Sequence, residues 1–154
     1  MNLIGKNKLD YKPNDVILTD PFLFEQLDIV FDVDVCCPKI KPDWIPAKKH
    51  YWLELDGLKQ DWVGNVWCNP PYSKPKPWVE KFIAHKFGIM LVPFSKSQWF
   101  IDLWNNVEAI VPLRLNFPFK DLNLKRKVIF QPVGLFAFGK VNVTALEKIG
   151  NRIR

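Results

Sequence analysis

Proline recurs so often in this chain that its secondary structure must be built from short elements. The 154 residues contain 13 prolines, and a proline inside a helix removes a backbone hydrogen bond and clashes with the preceding turn. No long helix is therefore expected, and no apolar run approaches the roughly 20 residues of a membrane span. Apolar residues make up 48% and charged residues 25%, as in an ordinary globular protein. The length predicts a single domain over residues 1–154.

Apolar patterns of strand type and of helix type alternate between the prolines. Strands alternating with helices of about ten residues are typical of an α/β fold, with a mainly parallel central sheet and helices on both faces. The basic segment 39–50 has no clear period and is predicted to be a loop. The predicted helices cover 21–28, 77–86 and 97–106, and the predicted strands cover 29–37, 51–55, 63–68, 87–92, 107–113 and 128–138.

The charge balance of the chain favours a polyanionic partner. Its net charge is +6, which attracts nucleic acid, and an aromatic content of 14% can supply ring faces for base stacking. Each basic residue can equally serve solubility. Those that could follow phosphates are Lys39, Lys41, Lys48, Lys49, Lys74, Lys76, Lys125, Arg126 and Lys127.

Cysteine usage predicts a reducing compartment and no metal. Cys36, Cys37 and Cys68 are an odd number and two are adjacent, which fits the cytoplasm better than a disulfide framework. Together with His50 they could supply four ligands, but the chain lacks a Cys-x-x-Cys pair, so no metal site is predicted. His85 lies beside lysines at a helix end and is expected on a solvated face.

The sharpest motif is Asn69-Pro70-Pro71-Tyr72, placed after an apolar strand and before a helix. Two successive prolines end the strand and lock the loop. The Asn69 side-chain oxygen and the Pro70 carbonyl can then accept the hydrogens of a planar amine and aim its lone pair at an electrophilic methyl group. Tyr72 can stack on an extruded base. The alternative interpretation is a proline turn with a surface aromatic.

Two aspartates are candidates for binding a polar ligand. Asp32 and Asp34 lie in an apolar strand, where a carboxylate is costly to bury unless it is paired or hydrogen-bonded. A ligand at the strand end would meet that need, and so would a salt bridge to a lysine. A third aspartate, Asp56, precedes Gly57, a pair that is typical of an ordinary turn.

These motifs, in their order and spacing, resemble phage-type DNA N6-adenine methyltransferases, a family of small enzymes that use S-adenosylmethionine. The resemblance implies a Rossmann-like methyltransferase fold and a cofactor pocket between Asp34 and Asp56, with Asp56 approaching the ribose or the adenine. Cys36 begins the Cys36-Cys37-Pro38 segment, which stands where larger methyltransferases carry a glycine-rich loop, and its small side chain permits close approach. The residues that carry the resemblance are Phe31 to Val35, Asp56-Gly57-Leu58, Trp62, Gly64 to Tyr72, Trp78, Leu91-Val92-Pro93, Trp99-Phe100, Arg114 and Phe117.

The resulting hypothesis is methyl transfer from S-adenosylmethionine to the exocyclic amine of a flipped adenine in DNA, by a phage or prophage protein in a bacterial cytoplasm. Asn69 and Pro70 would orient the amine, Tyr72 would stack on the base, and Asp32, Asp34, Cys36 and Asp56 would serve the cofactor. The alternatives are methylation of cytosine N4, of an RNA base or of a protein glutamine, and a catalytically silent DNA-binding protein of this fold. Monomer and homodimer are equally expected.

Overall fold

Short elements alternate along the chain, as its proline content predicts, and the longest of the four described helices has 10 residues. The computed structural model describes residues 17–38, 43–52, 55–114, 117–121, 123–127, 129 and 131–154. Within them, no helix has the length and apolar character needed to cross a membrane. In chain order the elements are β1 (Leu18–Thr19), α1 (Pro21–Leu27), β2 (Phe31–Cys37), β3 (Ala47–Trp52), β4 (Val66–Cys68), α2 (Lys76–His85), β5 (Gly88–Pro93), α3 (Gln98–Asn106), β6 (Ala109–Pro112), β7 (Phe119–Lys120), β8 (Arg126–Lys127), β9 (Val133–Phe138) and α4 (Lys140–Glu147).

The first helix shows how local chemistry sets the boundaries of an element. The Asp20 side chain accepts a hydrogen bond from the backbone N–H of Phe22 at 3.0 Å, and Pro21 occupies the first helical position. Asp28 ends the helix in the left-handed conformation, with φ of 52°. The predicted helix at 21–28 is therefore confirmed, and it begins for the predicted reason.

The central sheet has six strands in the order β3-β2-β4-β5-β9-β6. Neighbouring strands from β3 to β5 are parallel, whereas β9 is antiparallel to both β5 and β6. Five of the six strands therefore point the same way, and the mainly parallel sheet is confirmed. A second, antiparallel sheet has the order β1-β7-β8.

Helices cover both faces of the central sheet and form two separate cores. One face packs against α1 and α4, and the other packs against α2 and α3. Strand β5 shows the alternation, since Ile89 and Leu91 belong to the first core and Met90 and Val92 to the second, all fully buried. A strand that is buried on both faces has a continuous apolar sequence. Strand β5 could therefore be predicted from the sequence.

Of two sequence predictions about the chain before the proline loop, one was wrong and the other was confirmed only in part. Residues 47–50, predicted to be a loop, belong to β3, which pairs with β2 at the edge of the sheet. The lysines that hid the pattern, Lys48 and Lys49, are exposed there, as an edge strand allows. The strand predicted at 51–55 ends at Trp52, and residues 53–54 and 39–42 lie outside the described part.

The remaining elements differ from prediction in their limits or were not predicted. Strand β4 begins at Val66 rather than at Val63, which is 65% exposed. The strand predicted at 128–138 begins at Val133, and residues 128 and 130 lie outside the described part. The short strands β1, β7 and β8 and the helix α4 were not predicted.

Candidate active site

The order of the strands makes β2 a topological switch point of the sheet. From β2 the chain goes to β3 on one side, and it later returns to β4 on the other side of β2. Ligands of open α/β sheets bind beyond the carboxyl ends of strands at such a switch point. Asp34 of β2 is the register neighbour of Trp67, the second-last residue of β4, so β4 ends beside the second half of β2. The chain that follows each of these two strands therefore borders one edge.

The loop from Asn69 to Tyr72 lies at this edge, directly after β4. Pro70 and Pro71 are buried, and the Pro71 carbonyl accepts a hydrogen bond from the backbone N–H of Lys74 at 3.2 Å. Helix α2 begins at Lys76, two residues later. The structure thus confirms the predicted strand, rigid loop and helix.

The Asn69 side chain is held by the chain preceding the first strand. Its amide nitrogen donates a hydrogen bond of 2.8 Å to the Ile17 carbonyl oxygen. An amide whose nitrogen is anchored presents its oxygen on the other side, and that oxygen accepts hydrogen bonds and does not donate them. Ile17 was not singled out from the sequence, since a backbone carbonyl 52 residues away leaves no local signal.

Tyr72 contributes a partly exposed side chain whose hydroxyl group is buried. The ring packs against the core formed by α1 and α4. The hydroxyl has no hydrogen-bond partner among the described residues. Burial raises the pKa of Tyr72 far above its usual range, so the phenol stays protonated and does not serve as a base.

Asp34 is buried in the middle of β2, beneath His50. Its side chain is 1% exposed, and one carboxylate oxygen lies 3.3 Å from the His50 Nδ1 atom. The other oxygen accepts a hydrogen bond from the backbone N–H of Cys36 at 3.4 Å. Burial raises the pKa of Asp34, and His50 partly opposes that shift. Asp34 is thus a positioned group and not an exposed one.

Asp32 is the second residue of β2, so it lies near the amino end of that strand and away from the Asn69 loop. Its carboxylate accepts a 2.7 Å hydrogen bond from the backbone N–H of Asn65, at the start of β4, and pairs with Lys48 at 3.1 Å. The hydrogen bond from Asn65 and then the lysine lower the pKa of Asp32. The structure therefore shows the lysine salt bridge that was its alternative role, and it does not bring Asp32 to the Asn69 edge.

Asp56 lies in a turn that packs against the end of β2. Its side chain accepts a hydrogen bond from the backbone N–H of Leu58 at 3.2 Å, which is the turn chemistry considered above. A Cβ atom on Gly57 would overlap the Val35 carbonyl oxygen, so only glycine allows this approach. The Asp56 turn therefore lies beside the segment that carries Asp34 and Cys36.

Lys81 of α2 contacts the same turn, and this residue was not singled out from the sequence. Its ammonium group donates to the carbonyl oxygens of Leu58, at 2.8 Å, and of Gln60. It also lies 5.4 Å from the ring centre of Trp62, whose indole N–H donates to the Gly57 carbonyl oxygen. Desolvation lowers the pKa of Lys81. Turn and helix are about 20 residues apart, so only the fold reveals this contact.

His85 and two of the candidate phosphate-binding lysines have partners within the protein. The His85 Nε2 atom lies 2.7 Å from the Gly64 carbonyl oxygen and its ring meets Trp62 edge-on, so the predicted solvated position is wrong. Of the basic residues named above, Lys48 pairs with Asp32 and Lys76 lies 3.9 Å from Glu80. Lys39 and Lys41 lie outside the described residues.

Comparison with known proteins gives one family and two relatives. Residues 7–143 match the sequence model of a family described as DNA N-6-adenine-methyltransferase (Dam). A protein of that name from Haemophilus phage HP1 is 32% identical over 94 residues, which are 56% of this chain and 53% of the relative. One from Escherichia phage T1 is 39% identical over 72 residues, 42% of this chain and 30% of the relative. The chain thus spans about half of the first relative and less than a third of the second.

Proposed function

Because the chain belongs to the DNA N-6-adenine-methyltransferase (Dam) family, we propose that it methylates the exocyclic N6 amine of adenine in DNA, with S-adenosylmethionine as the methyl donor. The anchored Asn69 amide, at the carboxyl edge of the sheet, is the observation that carries the proposal. We further propose that residues 1–154 form a single Rossmann-like domain, which the mostly parallel sheet with helices on both faces supports.

The chemistry requires that a weak nucleophile be oriented. The lone pair of an exocyclic amine is delocalised into the base, so the nitrogen must be held nearer to tetrahedral geometry. In the proposal, the Asn69 oxygen and the Pro70 carbonyl each accept one amine hydrogen. The lone pair would form the new N–C bond while the methyl–sulfur bond of the donor breaks and its electron pair stays on sulfur. The nitrogen becomes acidic only once it is methylated and then loses a proton, so no general base acts before the transfer.

Tyr72 is proposed to receive the flipped base. Base stacking on an aromatic side chain contributes about 1–3 kcal/mol, which offsets part of the few kcal/mol needed to unstack the base from the duplex. The hydroxyl is buried and the side chain is only partly buried as a whole. This arrangement suits a role for the ring rather than for the hydroxyl.

The cofactor is proposed to bind beyond the carboxyl end of β2, beside the Asp56 turn. When bound, S-adenosylmethionine would supply an electrophilic methyl group on a sulfonium centre. Asp56 and Cys36, both partly exposed, would contact it, and Asp34 would position Cys36 through the backbone N–H. A carboxylate and small side chains fit a cationic ligand with ribose hydroxyls. A cofactor role for Asp32 stays a prediction from the sequence.

DNA is the proposed partner, and the net charge of +6 supports it. The exposed basic residues Lys49 and Lys74 are the described candidates for phosphate contacts near the edge. A cytoplasmic phage or prophage setting, and the choice between monomer and homodimer, stay predictions.

The test is transfer of a labelled methyl group to unmethylated DNA, followed by nucleoside analysis. Label on adenine N6 is expected; label on cytosine, RNA or a protein glutamine would redirect the assignment, and no label on any acceptor would favour a silent DNA-binding protein. Asn69→Ala is expected to lower kcat by about 10² or more, with cofactor affinity little changed. Wild-type turnover in this variant would refute the mechanism.

Two further variants sharpen the test of Asn69. Asn69→Asp keeps acceptor oxygens but cannot donate to the Ile17 carbonyl, so it should retain more activity than Asn69→Ala if the acceptor matters most. Asn105→Ala is the matched control, because Asn105 is exposed on α3. Equal losses in the alanine and aspartate variants would assign the effect to the lost anchor instead.

A further inference from the structure

Three side chains of different chemistry converge at the end of β2. They are Asp34, Cys37 and His50, and one ligand atom from each lies within 4.8 Å of the others. Asp34 and Cys37 are buried, whereas the His50 side chain is 27% exposed. The cluster is therefore shielded from solvent on the side of Asp34 and Cys37 and accessible to solvent on the side of His50.

A β-bulge creates this convergence. Asp34 and Cys37 are three residues apart, which in a regular strand places their side chains on opposite faces. In the pairing of β2 with β3, however, Asp34 faces His50 and Cys37 faces Trp52, so three steps along β2 match two steps along β3. The extra residue turns the Cys37 thiol to the Asp34 side. Bulges commonly redirect a side chain in this way beside functional sites.

The contacts within the cluster are ones that a metal ion can replace. The Asp34 carboxylate lies 3.3 Å from the His50 Nδ1 atom, and the Cys37 thiol lies 3.5 Å from the Pro38 carbonyl oxygen, to which it donates. In a tetrahedral zinc site, bonds of about 2.0–2.3 Å place neighbouring ligand atoms about 3.3–3.8 Å apart. The three ligand atoms all lie within 4.8 Å of one another, so no separation needs to contract by more than about 1.5 Å, which side-chain rotation can supply.

We propose that Asp34, Cys37 and His50 bind one soft divalent transition-metal ion, with Zn²⁺ as the best match. A thiolate, an imidazole and a carboxylate together favour Zn²⁺ over Mg²⁺ or Ca²⁺, which prefer oxygen ligands only. Three protein ligands leave a fourth position open to water on the side of His50. No metal site was predicted from the sequence, because two of the three cysteines are adjacent and no Cys-x-x-Cys pair is present. Asp34 was predicted to serve a polar ligand or the cofactor, and the register shift that brings Cys37 to its side leaves no local signal.

The experiment uses the full chain, stripped with a chelator and then freed of it, with Zn²⁺ and Co²⁺ as probes. One equivalent is expected to bind, and bound Co²⁺ should show the near-ultraviolet charge-transfer band of a thiolate ligand. Cys37→Ser should abolish that band, and both Cys37→Ser and His50→Ala should weaken Zn²⁺ binding at least tenfold. Cys36→Ser is the matched control, since it removes the adjacent thiol, and it should keep both the band and the affinity.

Thermal melts separate loss of the site from loss of the fold. Zn²⁺ should raise Tm of the wild type by several degrees and leave Tm of His50→Ala unchanged. If Cys37→Ser does not fold, Asp34→Asn and His50→Ala still decide the question. Absence of stoichiometric binding in the wild type would overturn the proposal, as would loss of the ion in Cys36→Ser but not in Cys37→Ser. None of these measurements depends on methyl transfer, so the proposal stands or falls separately from the proposed function.

Discussion

Replacing Tyr72 by phenylalanine removes one oxygen atom from the interior, and we expect this change to stabilise the protein. The hydroxyl is buried and has no hydrogen-bond partner among the described residues. Burying such a group without a partner costs about 1–3 kcal/mol. The small void left by the oxygen offsets part of the gain, so the expected rise in the free energy of unfolding is about 1 kcal/mol. For a chain of this size that corresponds to a rise in Tm of about 2–4 °C.

The matched control is Tyr51→Phe. Tyr51 is also buried, but its hydroxyl donates a 2.9 Å hydrogen bond to the Asp61 carbonyl oxygen. Removing that hydroxyl leaves the carbonyl without its partner, so Tyr51→Phe should lower the free energy of unfolding by about 1 kcal/mol. The same tyrosine-to-phenylalanine change is therefore expected to have opposite signs at the two positions. Thermal and denaturant unfolding, measured side by side, check this.

Methylation kinetics complete the test of Tyr72. If the ring stacks on the flipped base, Tyr72→Phe and Tyr72→Trp should keep most of the activity, whereas Tyr72→Ala should weaken capture of the base. Equal damage from all three changes would contradict stacking. A fall in Tm of several degrees in Tyr72→Phe would show that the hydroxyl has a partner, and the reasoning from burial would then be refuted.

Four other substitutions test the framework around the site. Asn65 and Asn142 exchange two buried amide hydrogen bonds of 2.8 and 2.9 Å. Asn142→Ala should therefore lower the free energy of unfolding by about 2–3 kcal/mol. The double variant, with alanine at both positions, should lower it by less than the sum of the two single variants. Asp32→Asn should lower Tm at pH 7 and have no effect on Tm at acid pH. The pKa of Asp32 is lowered in the folded state, so its ionised carboxylate stabilises the fold above the ordinary pKa of 3.8. That stabilisation is lost as the pH falls through the pKa of the folded state. Asp34→Asn should behave oppositely in metal-free protein: its pKa is raised, so the wild type loses stability as the pH rises from 3.8 through the folded pKa and the variant does not. Gly64→Ala should lower Tm markedly, because φ is +74° and the added Cβ would overlap the Asp32 carboxylate; an unchanged Tm would show that this turn can relax.

Much of the fold could be predicted because its signals are local. Three such signals determine the structure of only the residues next to them. They are the apolar run of β5, the proline and capping aspartate of α1, and the double proline after β4. The strand β3 was missed because its lysines are exposed at a sheet edge, and its stability comes from pairing with β2. Helix α4 follows Gly139 and has no side-chain N-cap hydrogen bond, so its start carries no comparable capping signal.

The candidate site also has one part that could be predicted from the sequence and another that could not. Asn69, Pro70, Pro71 and Tyr72 could be named from the sequence, since two locked φ angles after a buried strand give a rigid loop wherever the strand lies. Whether Asn69 would be anchored depended on the Ile17 carbonyl, and only the folded chain supplies it.

Residues two positions apart on one strand show what the tertiary structure alone decided. Asp32 is paired with Lys48 and has a lowered pKa, whereas Asp34 is buried under His50 and has a raised one. A one-residue bulge, invisible in the pattern, then joins Cys37 to Asp34. Local geometry follows from the order of residue types, because torsion preferences act between neighbours. Charge state and ligand geometry depend on burial and on partners from distant parts of the chain, which only the packed fold brings together.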